Sequence, residues 1–92
     1  MTVLLVDSSW TVLRASAAAI TRQNAALTVI LKSSVQEAEQ YVMYHPVDVV
    51  FVSAGIYSGD FFQKVRRLQP MAECNVLGAG QDPTPFLFPY LL

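Results

Sequence analysis

Charge is scarce in this 92-residue sequence: Asp, Glu, Lys and Arg make up 14% of it, well below the roughly 25% usual in soluble domains. Six basic residues stand against seven acidic ones. With no basic field to meet a phosphate backbone, direct nucleic-acid binding is not expected. The one cysteine, Cys74, has no partner for an internal disulfide and gives no metal-ligand spacing, which fits a reducing cytoplasm. No apolar run approaches the length of a membrane span, and Met1 to Val6 has neither the basic start nor the length of a signal peptide. These absences set the expectation of a cytoplasmic domain with no membrane attachment. What is plentiful is apolar: 53% of the residues are hydrophobic and 11% aromatic, too much for disorder. The length suits a single domain over residues 1–92. So little charge also implies surface covered by a partner.

Short apolar runs alternate with helical stripes. Thr2 to Val6 reads as a strand ended by Asp7-Ser8-Ser9. From Ser9 to about Gln23, Trp10, Leu13, Ala17 and Ile20 recur at helical spacing, and Asn24 supplies a left-handed stop. Leu27 to Leu31 is a second strand. Ser34 with Glu37 three residues on has the form of a capping box, and the helix it opens, with Val35, Ala38, Val42 and Tyr41 inward, must stop near His45 because Pro46 follows. Asp48 to Ser53 is a third strand, apolar on both faces. A third helix runs from Ser58-Gly59-Asp60 to Leu68 with Phe61, Val65 and Leu68 inward, and Cys74 to Leu77 is a fourth strand before Gly78-Ala79-Gly80. Apolar strands separated by helices specify an α/β fold, a doubly wound parallel sheet covered on both faces.

The last stretch breaks that rhythm. Two prolines within Gln81-Asp82-Pro83-Thr84-Pro85 predict a loop that holds no helix. Phe86-Leu87-Phe88-Pro89-Tyr90-Leu91-Leu92 then ends the sequence on apolar residues, where a frayed polar terminus is usual. The expectation is a buried fifth strand, a tail covering or exchanged with another chain, or a truncation point.

These residues together resemble a response-regulator receiver domain over most of the chain. Val3-Leu4-Leu5-Val6-Asp7-Ser8 is similar to that family's first strand, which ends in an acidic pair. Pro46 to Ser53 is similar to its third strand, which ends in the phospho-accepting aspartate. Ser58 to Pro70 follows its third helix, Val76-Leu77-Gly78-Ala79 its fourth strand, and Pro89-Tyr90-Leu91-Leu92 its fifth, with Tyr90 at the switch-aromatic position. The resemblance implies a flavodoxin-like receiver topology, incomplete at the C-terminus: the fourth helix is replaced by the proline loop and the fifth is absent. It also implies a degenerate site. The acidic pair is Asp7 plus Ser8, the acceptor position is Ser53, the hydroxyl position is Gly78, and the family's lysine would fall just after Leu92.

Phosphoryl transfer to an aspartate needs a carboxylate nucleophile, a magnesium ion held by neighbouring carboxylates and donors for the phosphoryl oxygens. One carboxylate makes a poor magnesium site, and Ser53 has no base beside it. His45 precedes the third strand while Ser53 ends it, so the two cannot form a catalytic pair; His45 is placed instead at a helix C-terminus. Cys74 reads as an inert, buried thiol. Asp48 lies at the wrong end of its strand, and Asp60 has a sufficient role opening a helix. Gly78-Ala79-Gly80 is a turn, since no helix is expected to follow it with phosphate-binding amides. Lys64, Arg66 and Arg67 read as a solvated face, and Trp10 as core.

The expected function is therefore a phosphorylation-independent receiver-like module for interaction or dimerisation. It would be the regulatory input domain of a larger signalling protein or transcription regulator, with no enzymatic activity, catalytic residue, cofactor or metal site, Asp7 being the one place for a residual cation. The partner is a second copy or another signalling protein, met through Phe86, Leu87, Phe88, Tyr90 and Leu91. Apolar strands left bare beside the first helix make such a partner favourable at about 25 cal/mol per Å². The alternatives are a small-molecule sensor using the crevice at Asp7, Ser53 and Gly78, and a receiver still phosphorylated at Asp60 or Asp7.

Overall fold

Four parallel strands form one sheet in the order β2-β1-β3-β4. In this computed structural model residues 1–91 are described, with Leu91 as backbone alone; the side chain of Leu91 and all of Leu92 lie outside the described residues. The strands are β1 (Thr2–Val6), β2 (Thr28–Lys32), β3 (Val49–Ser53) and β4 (Glu73–Leu77), and the connecting helices are α1 (Trp10–Gln23), α2 (Val35–Tyr44) and α3 (Gly59–Leu68). A 3-10 helix, Thr84–Leu87, runs into α4, Phe88–Leu91. The doubly wound expectation holds. Chain direction across the sheet reverses after β2, which puts α1 on one face and α2 with α3 on the other.

Strand alternation divides the core in two. Leu4, Val6, Val50 and Val52 pack under Ala38 and Val42 of α2 and Phe61, Phe62 and Val65 of α3. Val3, Leu5, Val49 and Phe51 pack under Leu13 and Ile20 of α1, with Leu27 and Leu87. Both central strands are therefore buried on both faces, as their unbroken apolar sequences require. Gln69, just past α3, ties the base of one face together. Its amide donates to the carbonyls of Val42 at 2.9 Å and His45 at 2.7 Å, and its oxygen accepts from the amide of Val47 at 2.7 Å.

Several local expectations need correction. Trp10 is 46% exposed, because it stands in the first turn of α1, ahead of the point where the helix meets the sheet at Leu13. Leu68 is 49% exposed, and its inward place belongs to Phe62, whose ring meets Tyr57 edge-on at 5.1 Å. Asn24 ends α1 in extended backbone (φ −156°), not left-handed, with its side-chain oxygen accepting from the amide of Ala26. Ser34 does cap α2 through the amide of Glu37, while the Glu37 carboxylate meets Ser33 rather than closing the box on Ser34.

The largest correction concerns the C-terminal segment, which is helical where a fifth strand was expected. Pro83 already has helical backbone (φ −73°, ψ −17°), and Pro85 lies in the first turn, where a helix needs no amide hydrogen from it. The carboxylate of Asp82 accepts from both the amide and the hydroxyl of Thr84 and fixes the start. The prolines thus begin a helix instead of preventing one. Leu87 is then fully buried against the α1 face, and Phe86 meets Phe51 edge-on at 5.9 Å. The strands beside α1 are consequently not bare, and Phe86 and Leu87 belong to the chain's own core rather than to an interaction surface. Among the described residues of that stretch, Phe88, Pro89 and Tyr90 face solvent.

Candidate functional site

Reversal of chain direction between β1 and β3 opens a crevice at the C-terminal ends of the strands, the usual ligand position in such sheets. Asp7 follows β1, Ser53 ends β3 and Gly78 follows β4. All three line a cavity of about 280 Å³ that reaches down between α1 and the sheet. The structure thus brings these three residues together. Ser8 does not line the cavity; it points to solvent.

Each residue is positioned locally. The Oδ1 of Asp7 accepts from the amide of Ser9 at 2.9 Å, and the Ser9 hydroxyl in turn caps α1 through the amide of Val12. The Ser53 carbonyl accepts from Ile56 in the turn after β3, while its hydroxyl has no hydrogen-bond partner among the described residues. Gly78 is held from both sides by Gln81, whose Oε1 accepts from the Gly78 amide at 2.9 Å and whose amide donates to the Gly78 carbonyl at 3.0 Å. Between them Gly80 adopts φ +72°, a conformation that disfavours any side chain. Gln81 and Ser16 of α1 also line the cavity. Sequence reading singled out neither; the sole signal was the glutamine placed three residues after a turn-opening glycine. The floor is apolar, made by Leu5, Leu13, Phe51 and Leu77.

Chemically this is a sparse site. Among the described residues, Asp7 is the one charged residue lining it. Among the described residues no group of three His, Cys, Asp or Glu side chains is gathered closely enough to hold a metal ion. Asp48 accepts from the amide of Thr2 at 2.7 Å at the opposite edge of the sheet. Asp60, in the first turn of α3, lines a different and wider cleft of about 620 Å³ between α2 and α3, whose lining includes Lys64 paired with Glu39 at 3.1 Å. That cleft is larger; it lies beside the end of β2, at Ser33 and Ser34, and the turn after β3, at Ile56 and Ser58, and does not include Asp7, Ser53 or Gly78.

The remaining residues sit away from the crevice. His45 follows α2 and stacks on Tyr41 at 4.5 Å, at the far end of β3 from Ser53. Burial pushes the Cys74 thiol up, against a smaller lowering by Arg66, so the thiolate is disfavoured. Tyr90 corrects a further expectation. Its hydroxyl donates to the carboxylate of Glu73 at 2.7 Å, at the start of β4 and hence a strand length from Gly78. That bond holds the phenol above its ordinary range. An aromatic residue fastened there does not stand at the switch position.

No protein-family model matches the sequence. Among curated proteins no relative is found by sequence. A solved structure does resemble this one: a response regulator receiver domain protein, CheY-like, from Methanospirillum hungatei JF-1, with a TM-score of 0.79 at 10% identity, covering 97% of this chain and 89% of that one. No helix among the described residues is long and apolar enough to cross a membrane. Four parallel strands in the order β2-β1-β3-β4, α1 on one face, α2 and α3 on the other, and that superposition together give this chain the fold of a response-regulator receiver domain.

Proposed function

We propose that the chain is a receiver-like module that works by contact, without phosphorylation and without catalysis, as the regulatory input unit of a larger signalling protein or transcription regulator. The observation that carries this reading is the crevice at the strand ends, lined by a single carboxylate, Asp7, with Ser53 and Gly78 beside it. A phosphoryl group there would meet Ser53 rather than an aspartate at the end of β3, and magnesium would meet one carboxylate where several oxygen ligands are wanted. Incubation with acetyl phosphate and magnesium, read by intact mass, tests this. The mass is expected to stay that of the unmodified chain, and a phosphoryl adduct would overturn the reading.

The contact we propose is with a second copy of the chain along β4. This strand is an edge of the sheet, and Glu73–Leu77 contains neither the lysine nor the proline that commonly guards such edges. Val76 on it is 39% exposed, and Phe88 and Tyr90 add further exposed aromatic surface on the segment that Tyr90 anchors to the start of β4. Two β4 edges related by a two-fold axis would continue one sheet into the other. Sedimentation at micromolar concentration is expected to give a dimer that Val76→Lys converts to monomer. A monomeric native chain would overturn this contact.

A further inference from the structure

The crevice at Asp7 is more than the remains of a phosphoryl site: its cavity is closed on one side by apolar side chains and carries negative charge on the other. Leu5, Leu13 and Phe51, each almost fully buried, form the floor with Leu77. Its volume of about 280 Å³ lies close to the lower end of the range that takes small organic molecules, about 300–1,000 Å³. An apolar cavity with a few converging polar groups is the general form of a small-ligand site.

The polar groups determine which ligand fits. One oxygen of the Asp7 carboxylate is engaged by the Ser9 amide, and the other has no hydrogen bond or ion pair among the described residues. The hydroxyls of Ser16 and Ser53 are likewise without partners there, and Gln81 already gives its oxygen to Gly78. Among the described residues no lysine, arginine or histidine lines the cavity. A carboxylate beside a low-dielectric floor attracts a cation more strongly than one in open water, and hydroxyl oxygens can accept the further protons of an ammonium group. An anion would face the Asp7 charge with no compensating cation.

We propose that this cavity binds a small organic cation, a primary ammonium group on a compact apolar body, with the ammonium on Asp7 and the body over Phe51, Leu13 and Leu77. The proposal rests on the reading that the crevice no longer carries phosphoryl chemistry.

Benzylammonium is the probe, with benzyl alcohol and benzoate as neutral and anionic counterparts of similar shape, titrated into the full chain and followed by backbone amide NMR. Benzylammonium is expected to shift the amides of Asp7, Ser53, Gly78 and Gln81 together and saturably. Benzyl alcohol is expected to bind at least about tenfold more weakly, the size of one charge-assisted hydrogen bond, and benzoate to leave these amides unmoved. Asp7→Asn keeps an oxygen for the Ser9 amide and should bring benzylammonium down to the level of benzyl alcohol. Ser16→Leu, which fills the cavity from α1, should abolish binding and remains informative if Asp7→Asn folds poorly. Equal binding of all three probes, or no saturation by about 10 mM benzylammonium, would overturn the proposal. Such a failure leaves the phosphorylation-independent reading standing as long as the acetyl phosphate experiment gives an unmodified mass.

Discussion

The two faces of the sheet are closed by different means. On one face, α2 and α3 are ordinary amphipathic helices of ten residues each, with Ala38, Val42, Phe61 and Val65 at helical spacing, and Gln69 joins their ends to Val47 in the segment leading into β3. On the other, α1 covers part of the strands, and the rest is covered by a short proline-started helical segment that delivers one buried leucine, Leu87, and one half-buried phenylalanine, Phe86. The first face is held by two helices, the second by α1 together with a few residues on a short segment. A helix of four residues has no stability of its own, so the C-terminal segment depends on what Leu87 gains by burial and on the Asp82 and Tyr90 hydrogen bonds at its two ends.

The sharpest way to break this contrast is Leu87→Ala. Truncating a fully buried leucine costs about 2–5 kcal/mol, and because the segment has few other contacts it should release α4 as well. Chemical denaturation should show that loss, whereas Leu68→Ala on the opposite face, at an exposed position, should stay within about 0.5 kcal/mol. Equal effects would mean that the C-terminal segment does not contribute to the core.

Next in size is Gln69→Ala on the α2 and α3 face. It removes three hydrogen bonds, two of them to carbonyls at the end of α2, and leaves the Val47 amide without its acceptor. A loss of about 1–3 kcal/mol is expected, read by the same denaturation curves. Gly80→Ala should cost about 1 kcal/mol, because alanine resists the left-handed backbone seen there although no neighbour blocks its methyl group. A neutral outcome would show that the loop after β4 relaxes freely and does not hold the crevice in shape.

The smallest expected effect is a pH dependence confined to the C-terminal face. Hydrogen bonds from the Thr84 side chain and amide hold the Asp82 carboxyl below its ordinary range. A depressed folded-state value contributes stability above the unfolded pKa of about 3.9 and loses it as pH falls through the folded value. Denaturation midpoints followed from about pH 5 down to pH 2 should therefore drop more for the native chain than for Asp82→Asn. Parallel curves would remove Asp82 from the account of how the segment is fixed. The site is exposed, so solvent screening keeps the effect modest.

The α2 and α3 face was legible in sequence because helical periodicity, a serine cap and a following proline all pointed the same way. The central strands were legible for the same reason, being unbroken apolar runs. Leu68 and Trp10 misled because spacing gives a stripe but not its rotation or where along the helix it first meets the sheet. The C-terminal segment misled because Pro83 and Pro85 were weighed as breakers, although in a first turn they act as starters. Whether proline breaks or begins a helix depends on what precedes it, here the Asp82 carboxylate, and on what the following turn can bury. At the crevice, Asp7, Ser53 and Gly78 were legible as strand ends brought together by a parallel sheet. Ser16 and Gln81 were not, since their place in the lining comes from how α1 and the β4 loop pack. Tyr90 was placed by likeness of sequence order to a fifth strand, and a helix in that place carries it to Glu73 instead.

The central claim is a receiver fold whose crevice no longer handles a phosphoryl group. Magnesium titrated together with beryllofluoride, a phosphoryl mimic, and followed by backbone amide NMR tests it most directly. The account predicts that the amides around Asp7, Ser53 and Gly78 stay unmoved at millimolar magnesium. Saturable, magnesium-dependent shifts at all three together would contradict it and return the domain to the phosphoryl-type switches.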